Sequence, residues 1–284
     1  MAYRSEFKPG LYDGKTVIVT GGGSGIGRCT AHELASLGAN VAIIGRKPDK
    51  LEQVKAEIEE DGGRVSMHAC DIRDEEAVIA TIAAVLETHG RIDGLVNNAG
   101  GQYRAELNTI STKGFEAVVR NNLTGGFIFM REVYNRWMQA HGGSIVNIIA
   151  DIWNGWPNFG HSAAARGGML TLTDTAACEW ASSGVRVNTV APGGIASSGF
   201  EVYTPEAWAE VRKVAAKVPM QRFGNEAEVS AAIVFLLSPA ASYITGSCLR
   251  VDGGSPNARP TFEMKPHDRS VAFDGFHRAL PTRT

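Results

Sequence analysis

Short runs of β-branched and other apolar residues alternate with longer segments of helical periodicity from Lys15 onward. This alternation is typical of repeated βαβ units, whose right-handed crossovers place helices on both faces of a parallel sheet. It predicts seven strands, at Thr16–Thr20, Val41–Gly45, Arg64–Ala69, Ile92–Asn97, Gly143–Ile149, Val185–Val190 and Ser247–Val251. It predicts helices at Ile26–Leu37, Pro48–Glu60, Asp74–His89, Gly114–Gln139, Ser162–Ala181, Pro205–Lys217 and Glu226–Leu237.

Composition excludes several classes of protein. The 284 residues suffice for one large domain, and 28 Lys and Arg against 30 Asp and Glu leave a net charge of −2, so no nucleic-acid partner is expected. The longest apolar stretches, such as Ala231–Leu237, are far shorter than the roughly 20 residues of a membrane span, and the N-terminus lacks the apolar core of a signal peptide. The four cysteines are far apart and form no CxxC pair, which favours reduced thiols over disulfides or metal ligands. We therefore expect a cytoplasmic protein that binds neither membrane nor metal.

A glycine-rich string, TGGGSGIG at 20–27, joins the first predicted strand to the first predicted helix. Glycines allow unusual dihedral angles there and let the backbone approach a pyrophosphate, while the helix N-terminus presents free N–H groups. Such a string alone is also compatible with a tight turn, but the strand-turn-helix context favours a dinucleotide site. The predicted fold is thus a single-domain Rossmann fold of the α/β class, with a seven-stranded parallel sheet. The phosphate-binding candidates are Gly21, Ser24, Gly25, Ile26 and Gly27.

The residues after the second and third predicted strands bear on cofactor choice. Gly45 is followed by Arg46 and Lys47, two cations that would attract a 2′-phosphate, where NAD enzymes of this architecture place an acid. This predicts NADP(H), although exposed Arg and Lys are also ordinary surface residues. Asp71 and Ile72 are assigned to the adenine end of the cofactor; alternatively, an Asp in Asp71-Ile72-Arg73-Asp74 caps the next helix.

Further motifs follow the later strands: Asn97-Asn98-Ala99-Gly100, Asn122-Leu123-Thr124-Gly125 in the long helix, and Pro192-Gly193-Gly194-Ile195. Together with the glycine string they resemble the short-chain dehydrogenase/reductase family over residues 11–254, which leaves 255–284 as an irregular C-terminal tail. The resemblance implies that Asn98, Ala99 and Gly100 lie along the cofactor and that Pro192, Gly193 and Ile195 flank the nicotinamide. It also implies a homotetramer, in which we expect the tail to wrap a neighbouring subunit.

The reaction centre departs from the family pattern of a serine and a Tyr-x-x-x-Lys pair. Aligning Gly167-Gly168-Met169-Leu170 with the family helix places Ser162 at the tyrosine position and Arg166 at the lysine position, and the serine position falls on Ile149 or Ala150. A serine hydroxyl has too high a pKa to replace a phenol as proton donor, so ordinary ketone–alcohol interconversion is disfavoured. Arg166 keeps a cation for the nicotinamide ribose, but an always-protonated guanidinium cannot relay a proton.

The segments around Ser162, Gly143 and Cys178 resemble the trans-2-enoyl-CoA and 2,4-dienoyl-CoA reductases of this family. In the dienoyl-CoA reductases a serine stands at the tyrosine position and the acid lies just after the fifth strand, which here is Asp151. The resemblance implies an acyl-CoA substrate, with Asn122 and Ser162 as donors near the thioester oxygen and Asp151 or water as the proton source. The alternative for Asp151 is a loop cap. His161 is a second acid or electrophile candidate, or else a histidine in a hydrogen-bonded loop.

The leading functional prediction is an NADPH-dependent reductase of an enoyl or dienoyl thioester. The alternatives are a carbonyl reductase or alcohol dehydrogenase with a relocated acid, and a catalytically silent NADP(H)-binding protein. Three further assignments are an apolar wall or loop packing for Trp153, Trp156 and Phe159, a substrate lid at Pro205–Lys217, and a CoA phosphate site drawn from Arg104, Arg120, Lys265 and Arg269.

Overall fold

The computed structural model describes residues 2–196, 213 and 215–279. The strands in this part of the chain are β1 Thr16–Thr20, β2 Asn40–Gly45, β3 Arg64–Ala69, β4 Gly94–Asn97, β5 Gly143–Ile148, β6 Val185–Pro192, β7 Ile195–Ala196, β8 Gly224–Asn225 and β9 Cys248–Val251. Seven of them form one sheet in the order β3-β2-β1-β4-β5-β6-β9, with every pairing parallel. β7 and β8 form a separate short pair. The predicted α/β fold and its seven-stranded sheet are confirmed.

The helices connect successive strands and cover the sheet. Over the described residues they are α1 Gly25–Ser36, α2 Pro48–Glu60, α3 Glu75–His89, α4 Thr112–Val119, α5 Gly125–Val133, α6 Gln139–His141, α7 Gly160–Glu179 and α8 Glu226–Leu237. π-Helical turns at Arg120–Thr124 and Tyr134–Met138 interrupt the single helix predicted at Gly114–Gln139. The predicted helix and lid at Pro205–Lys217 lie, except for residues 213 and 215–217, outside the described residues. None of the described helices is long and apolar enough to cross a bilayer.

The core lies on both faces of the sheet because alternate strand residues face opposite ways. Val17 and Val19 of β1 belong to a cluster that includes residues of α1, α2 and α8, whereas Ile18 between them belongs to the cluster that includes α3 and α5. All three side chains are buried. This two-sided burial explains why the strands read as continuous apolar runs.

The sheet brings the candidate site residues to one edge. β1 lies between β2 and β4, so the strand order reverses direction there, and ligands in open α/β sheets bind outside the carboxyl ends of strands at such a point. The glycine string follows β1, Arg46 follows β2, Asn98 follows β4 and Asp151 lies just beyond β5. Residues 100 or more positions apart in sequence therefore share a single edge.

The described part of the C-terminal tail packs against its own chain, and its contact with a neighbouring subunit stays a prediction. Apart from a 3₁₀ turn at Ser255–Asn257, its described residues form neither helix nor strand. Phe276 is only 2% exposed and joins Tyr3 and Cys29 in a small apolar cluster. The Arg278 guanidinium donates to both carboxylate oxygens of Asp61, at 2.9 and 2.8 Å. Burial of the ring and this paired ion contact hold the tail against α1 and the end of α2.

Candidate active site

The glycine loop has the geometry that a pyrophosphate site requires. Gly21 and Gly25 have φ values of +69° and +57°, in the left-handed region that favours glycine. A Cβ at Gly27 would lie 2.4 Å from the Gly21 carbonyl oxygen and 2.5 Å from Asn98 Nδ2, so the helix can approach the loop this closely only without a side chain. Ser24, the residue before α1, makes no side-chain cap hydrogen bond, which leaves first-turn N–H groups for a ligand. The loop therefore fits a dinucleotide.

Asn98 and Ala99 connect the end of β4 to this loop. Their backbone N–H groups both donate to Thr20 Oγ1 at 3.0 Å, and Asn98 Nδ2 donates to the Thr20 carbonyl oxygen at 3.0 Å. At Gly100 a Cβ would lie 2.5 Å from Arg166 Nη2. The segment predicted to run along the cofactor thus extends from the glycine loop to the guanidinium of α7.

The two basic residues that follow β2 are exposed, whereas the aspartate that follows β3 forms an ion pair. Arg46 and Lys47 both lie on the surface. Asp71 accepts hydrogen bonds from the Arg73 guanidinium, which lowers the pKa of Asp71 to about 2, with a smaller contribution from Arg46. Asp74 caps α3 by accepting from the Ala77 N–H at 3.1 Å, which confirms the prediction that an Asp of this segment caps the helix.

The predicted adenine-end residue Ile72 is placed in the core. Its side chain is buried, and a Cβ at Gly125 would lie 2.8 Å from it. The Ile72 side chain packs against the start of α5 and so supports the segment that follows β3. Any contact with a cofactor is left to its backbone.

Ser162 and Arg166 lie one turn apart on α7, and both are buried. The Arg166 guanidinium donates from Nη1 to the Ile148 carbonyl oxygen at the end of β5. Burial lowers the pKa of Arg166 to about 10, and no carboxylate of the described residues offsets that effect, but the group stays protonated at neutral pH. Ser162 is 0% exposed, and its Oγ has no hydrogen-bond partner among the residues described.

Asn122 occupies the first π-helical turn, and its amide bonds to backbone on every side. Nδ2 donates to the carbonyl oxygens of Gly101 and Val118 at 2.7 and 2.9 Å, and Oδ1 accepts from the Gly101 N–H at 3.1 Å. Both N–H bonds of the amide are thus used, which contradicts the predicted donation to a substrate oxygen. Asn122 positions the segment around Gly100 instead.

Asp151 has features of both predicted roles, a proton source and a loop cap. Its backbone N–H donates to the Pro192 carbonyl oxygen at 3.0 Å, which fixes it beside the end of β6. Burial and the neighbouring Asp252 raise the pKa of the carboxyl, although hydrogen bonds from the Ser255 hydroxyl and the Trp153 N–H act in the opposite direction. The N–H contact is that of a loop cap, and Oδ1 is buried without a partner among the described residues. A carboxyl in this environment is suited to hold a proton nearer neutrality than usual.

Pro192, Gly193 and Ile195, the residues predicted to flank the nicotinamide, lie at and just after the end of β6, where Asp151 also lies. Gly193 donates its N–H to the Val251 carbonyl oxygen at 3.0 Å, and a Cβ there would lie 2.8 Å from the Asp252 Cα. Ile195 pairs with Gly224 in the short two-stranded sheet. Pro192, Gly193 and Ile195 are thus held by β9, Asp252 and β8, and the Pro192 carbonyl oxygen contacts the Asp151 backbone.

A family model described as enoyl-(acyl carrier protein) reductase matches residues 21–255. The chain is a short-chain dehydrogenase/reductase. It is 37% identical over 257 residues to a peroxisomal 2,4-dienoyl-CoA reductase of Danio rerio, covering 89% of this chain and 85% of the relative. It is 37% identical over 243 residues to a probable 2,4-dienoyl-CoA reductase of Bacillus subtilis, covering 84% and 96%. Among solved structures, a citronellol catabolism dehydrogenase of Pseudomonas aeruginosa PAO1 is 56% identical at a TM-score of 0.81, covering 89% of this chain and 100% of that one.

Membership of the short-chain dehydrogenase/reductase family confirms the resemblance drawn from the motifs, and the protein is an oxidoreductase. The structure adds site residues that the motifs did not single out. Tyr103 packs edge-on against His161, with ring centroids 4.5 Å apart, and Ala105 donates its N–H to the Asn158 carbonyl oxygen at 2.9 Å. The segment after Gly101 therefore crosses the start of α7. Its lack of any helical or strand periodicity left no sequence signal for this contact.

The residues predicted to form an apolar substrate wall or a CoA phosphate site pack in loops or lie on the surface. Trp153 packs against a cluster containing Ile149 and Met169, as the loop-packing alternative holds, whereas Trp156 and Phe159 contact each other with ring centroids 4.9 Å apart. The four residues assigned to a CoA phosphate are all exposed: Arg104, Arg120, Lys265 and Arg269. Of these, Arg120 donates to the Arg73 carbonyl oxygen at 3.1 Å.

Proposed function

We propose that this short-chain dehydrogenase/reductase is an NADP(H)-dependent reductase of a carbon–carbon double bond conjugated to a thioester, with an enoyl- or dienoyl-CoA as substrate. The carrying observation is the reaction centre itself. A carboxyl with a raised pKa, Asp151, follows β5 and its backbone bonds to Pro192, and a buried hydroxyl without a partner among the described residues, Ser162, stands where the family places a phenol. The relatives that are 2,4-dienoyl-CoA reductases support the same assignment.

The chemistry needs one hydride, one proton and stabilisation of charge on the thioester oxygen. NADPH, when bound, supplies the hydride. Ser162 Oγ–H donates to the oxygen as negative charge moves onto it, and the buried Arg166 cation holds the ribose side of the site. Asp151 delivers the proton to carbon, directly or through water, so that the double bond is reduced by two electrons and two hydrogens.

The proposal of NADP(H) over NAD(H) rests on the exposed cations after β2. A charge-assisted bond to a phosphate contributes about 1.5–3 kcal/mol, or roughly a ten- to hundredfold change in affinity. Replacing Arg46 and Lys47 together with alanine should weaken NADPH binding by at least that factor and leave NADH binding unchanged. Lys55→Ala is the matched control, because Lys55 lies on α2 and pairs with Glu59. An equal loss of affinity for NADPH and NADH would contradict the assignment of these cations to a 2′-phosphate.

A second candidate is a dehydrogenase of a branched, acyclic terpenoid alcohol. It is favoured by the 56% identity to a citronellol catabolism dehydrogenase. In that reaction hydride leaves the carbinol carbon and Asp151, in its ionised form, accepts the hydroxyl proton. The two candidates make opposite predictions, because the first needs a protonated carboxyl and the second an ionised one.

The discriminating experiment follows NADPH oxidation with trans-2-enoyl-CoA, 2,4-dienoyl-CoA and a panel of ketones, and NADP⁺ reduction with citronellol. Turnover confined to the thioesters supports the proposal, and turnover confined to citronellol or ketones refutes it. Tight NADPH binding by fluorescence with no turnover of any compound identifies a silent binding protein. Asp151→Asn should lower kcat strongly in either enzymatic case, whereas Asp174→Asn, on the exposed face of α7, should leave kcat unchanged.

We further propose a homotetramer, on the family resemblance, and a cytoplasmic location, on four cysteines that form no CxxC pair. Light scattering of the purified protein tests the assembly, and a monomeric mass would contradict it.

A further inference from the structure

His161 is the second residue of α7, and a backbone hydrogen bond selects one tautomer of its neutral imidazole. The Ser162 backbone N–H donates to His161 Nδ1 at 2.9 Å, so Nδ1 is an acceptor and carries no proton. In the neutral ring the proton then resides on Nε2. The local backbone contact at the start of the helix thus determines which nitrogen is the donor.

The Nε2–H donor is buried and has no hydrogen-bond partner among the described residues. His161 is 0% exposed, so bulk solvent does not reach this nitrogen. A buried polar group without a partner is rare in proteins, because its lost hydration is not compensated. A histidine that served only to fill the core would be expected to pair both nitrogens.

The surroundings connect this donor to the reaction centre. The next residue carries the other unpaired donor of the site, Ser162 Oγ–H, and Arg166 follows one turn later. Tyr103 covers the imidazole edge-on and is itself 43% exposed. Tyr103 belongs to the segment that continues from Asn98 and Gly100, and that segment is anchored to the glycine loop and to Asn122. His161 therefore contacts the segment that leads from the glycine loop, and it directly precedes Ser162 on α7.

We propose that His161 is a further catalytic residue, whose Nε2–H donates a hydrogen bond to the carbonyl oxygen of the thioester beside Ser162. This rests on the proposed function. When hydride adds to the conjugated double bond, an electron pair moves onto that oxygen, and a fixed donor in a dry site stabilises it. The proton stays on Nε2 throughout, since carbon receives its proton from Asp151 or water. Two neutral donors thereby replace the phenol that the family uses.

Three variants separate this role from a structural one. His161→Phe keeps a buried aromatic ring without the donor, and should lower kcat about 10²- to 10³-fold, the usual loss for one oxyanion donor. His161→Gln retains an N–H near the Nε2 position and should recover about tenfold of that loss. His141→Phe replaces an exposed histidine whose ring stacks on Trp137, and should have a kcat close to that of the wild type.

Two further readouts exclude a general disturbance of the site. NADPH affinity, measured by fluorescence titration, should be equal in the wild type and in His161→Phe. The kinetic isotope effect with NADPH deuterated at the transferred hydrogen should rise in His161→Phe, because slower hydride transfer becomes more fully rate-limiting. Acetoacetyl-CoA, whose enolate absorbs in the ultraviolet, should bind to the wild type with a larger enolate fraction than to His161→Phe.

The outcomes distinguish the two proposals. If the wild type reduces no thioester but oxidises an alcohol or reduces a ketone, the proposed function is refuted and this inference with it. If the wild type reduces thioesters and His161→Phe does so with equal kcat, only the role of His161 is refuted. A loss in His161→Phe that appears entirely as weaker NADPH binding also overturns the inference, since a donor to the substrate oxygen leaves cofactor affinity unchanged.

Discussion

Replacing Phe276 with alanine tests whether the C-terminal tail belongs to the fold of its own chain. The ring is 2% exposed and contacts an apolar cluster that includes Tyr3 and Cys29. The Arg28 guanidinium lies 5.0 Å from the ring centroid. Phe276 is thus the main apolar contact through which the tail reaches α1, the helix that follows the glycine loop.

The magnitude follows from these contacts. Truncating a buried phenylalanine to alanine costs about 3–5 kcal/mol. Loss of the cation–π contact adds roughly 0.5–1 kcal/mol. The tail around Phe276 has neither helix nor strand, so it can detach locally, and the loss is limited to the free energy with which it docks. We therefore expect the free energy of unfolding to fall by about 3 kcal/mol.

The assay is equilibrium unfolding in urea, combined with limited proteolysis of the native protein. Phe276→Ala should unfold at a lower urea concentration, and its tail should be cleaved faster than that of the wild type. Phe262→Ala is the matched control, because Phe262 is in the same tail but is 71% exposed. Equal stability and equal cleavage for Phe276→Ala and Phe262→Ala would refute the reasoning. A loss that diminishes as protein concentration rises would instead place the ring in a contact between subunits.

Three other predictions concern the site and the helix behind it. Asp151→Asn should lower kcat and abolish the decline that the wild type shows as pH rises through the raised pKa of this carboxyl, which pH–rate profiles of both proteins measure. Burial lowers the pKa of His32 from 6.5 to about 4, so the native state holds the neutral ring. The free energy of unfolding should therefore fall as pH decreases from 6.5 to about 4, because the unfolded chain binds a proton that the native state does not. Unfolding measured at a series of pH values should show a smaller fall in His32→Gln. An equal fall in both proteins would contradict this. Gly27→Ala places a Cβ 2.4 Å from the Gly21 carbonyl oxygen and should reduce NADPH affinity at least a hundredfold, whereas Gly167→Ala, with 3.9 Å to its nearest neighbour, should bind as the wild type does.

The binding edge of the sheet follows from local patterns alone. Alternating β-branched and helical segments predicted the parallel sheet, and parallel strands necessarily end at a common edge. The glycine string predicted the phosphate loop, since Gly21 and Gly25 adopt left-handed conformations that few other residues tolerate. The spacing of Ser162 and Arg166 also placed both on one helical face.

The roles of individual polar groups were decided by tertiary structure. Sequence patterns report periodic burial along one segment, but a hydrogen bond depends on which distant segment approaches it. Asn122 was expected to face a substrate, yet its amide is consumed by Gly101 and Val118 because the helix forms a π turn there. The tail showed no periodicity, and only the fold brings Phe276 to α1. Motifs thus determined which edge of the sheet the candidate residues share, while long-range packing determined which of their polar atoms have no partner among the described residues.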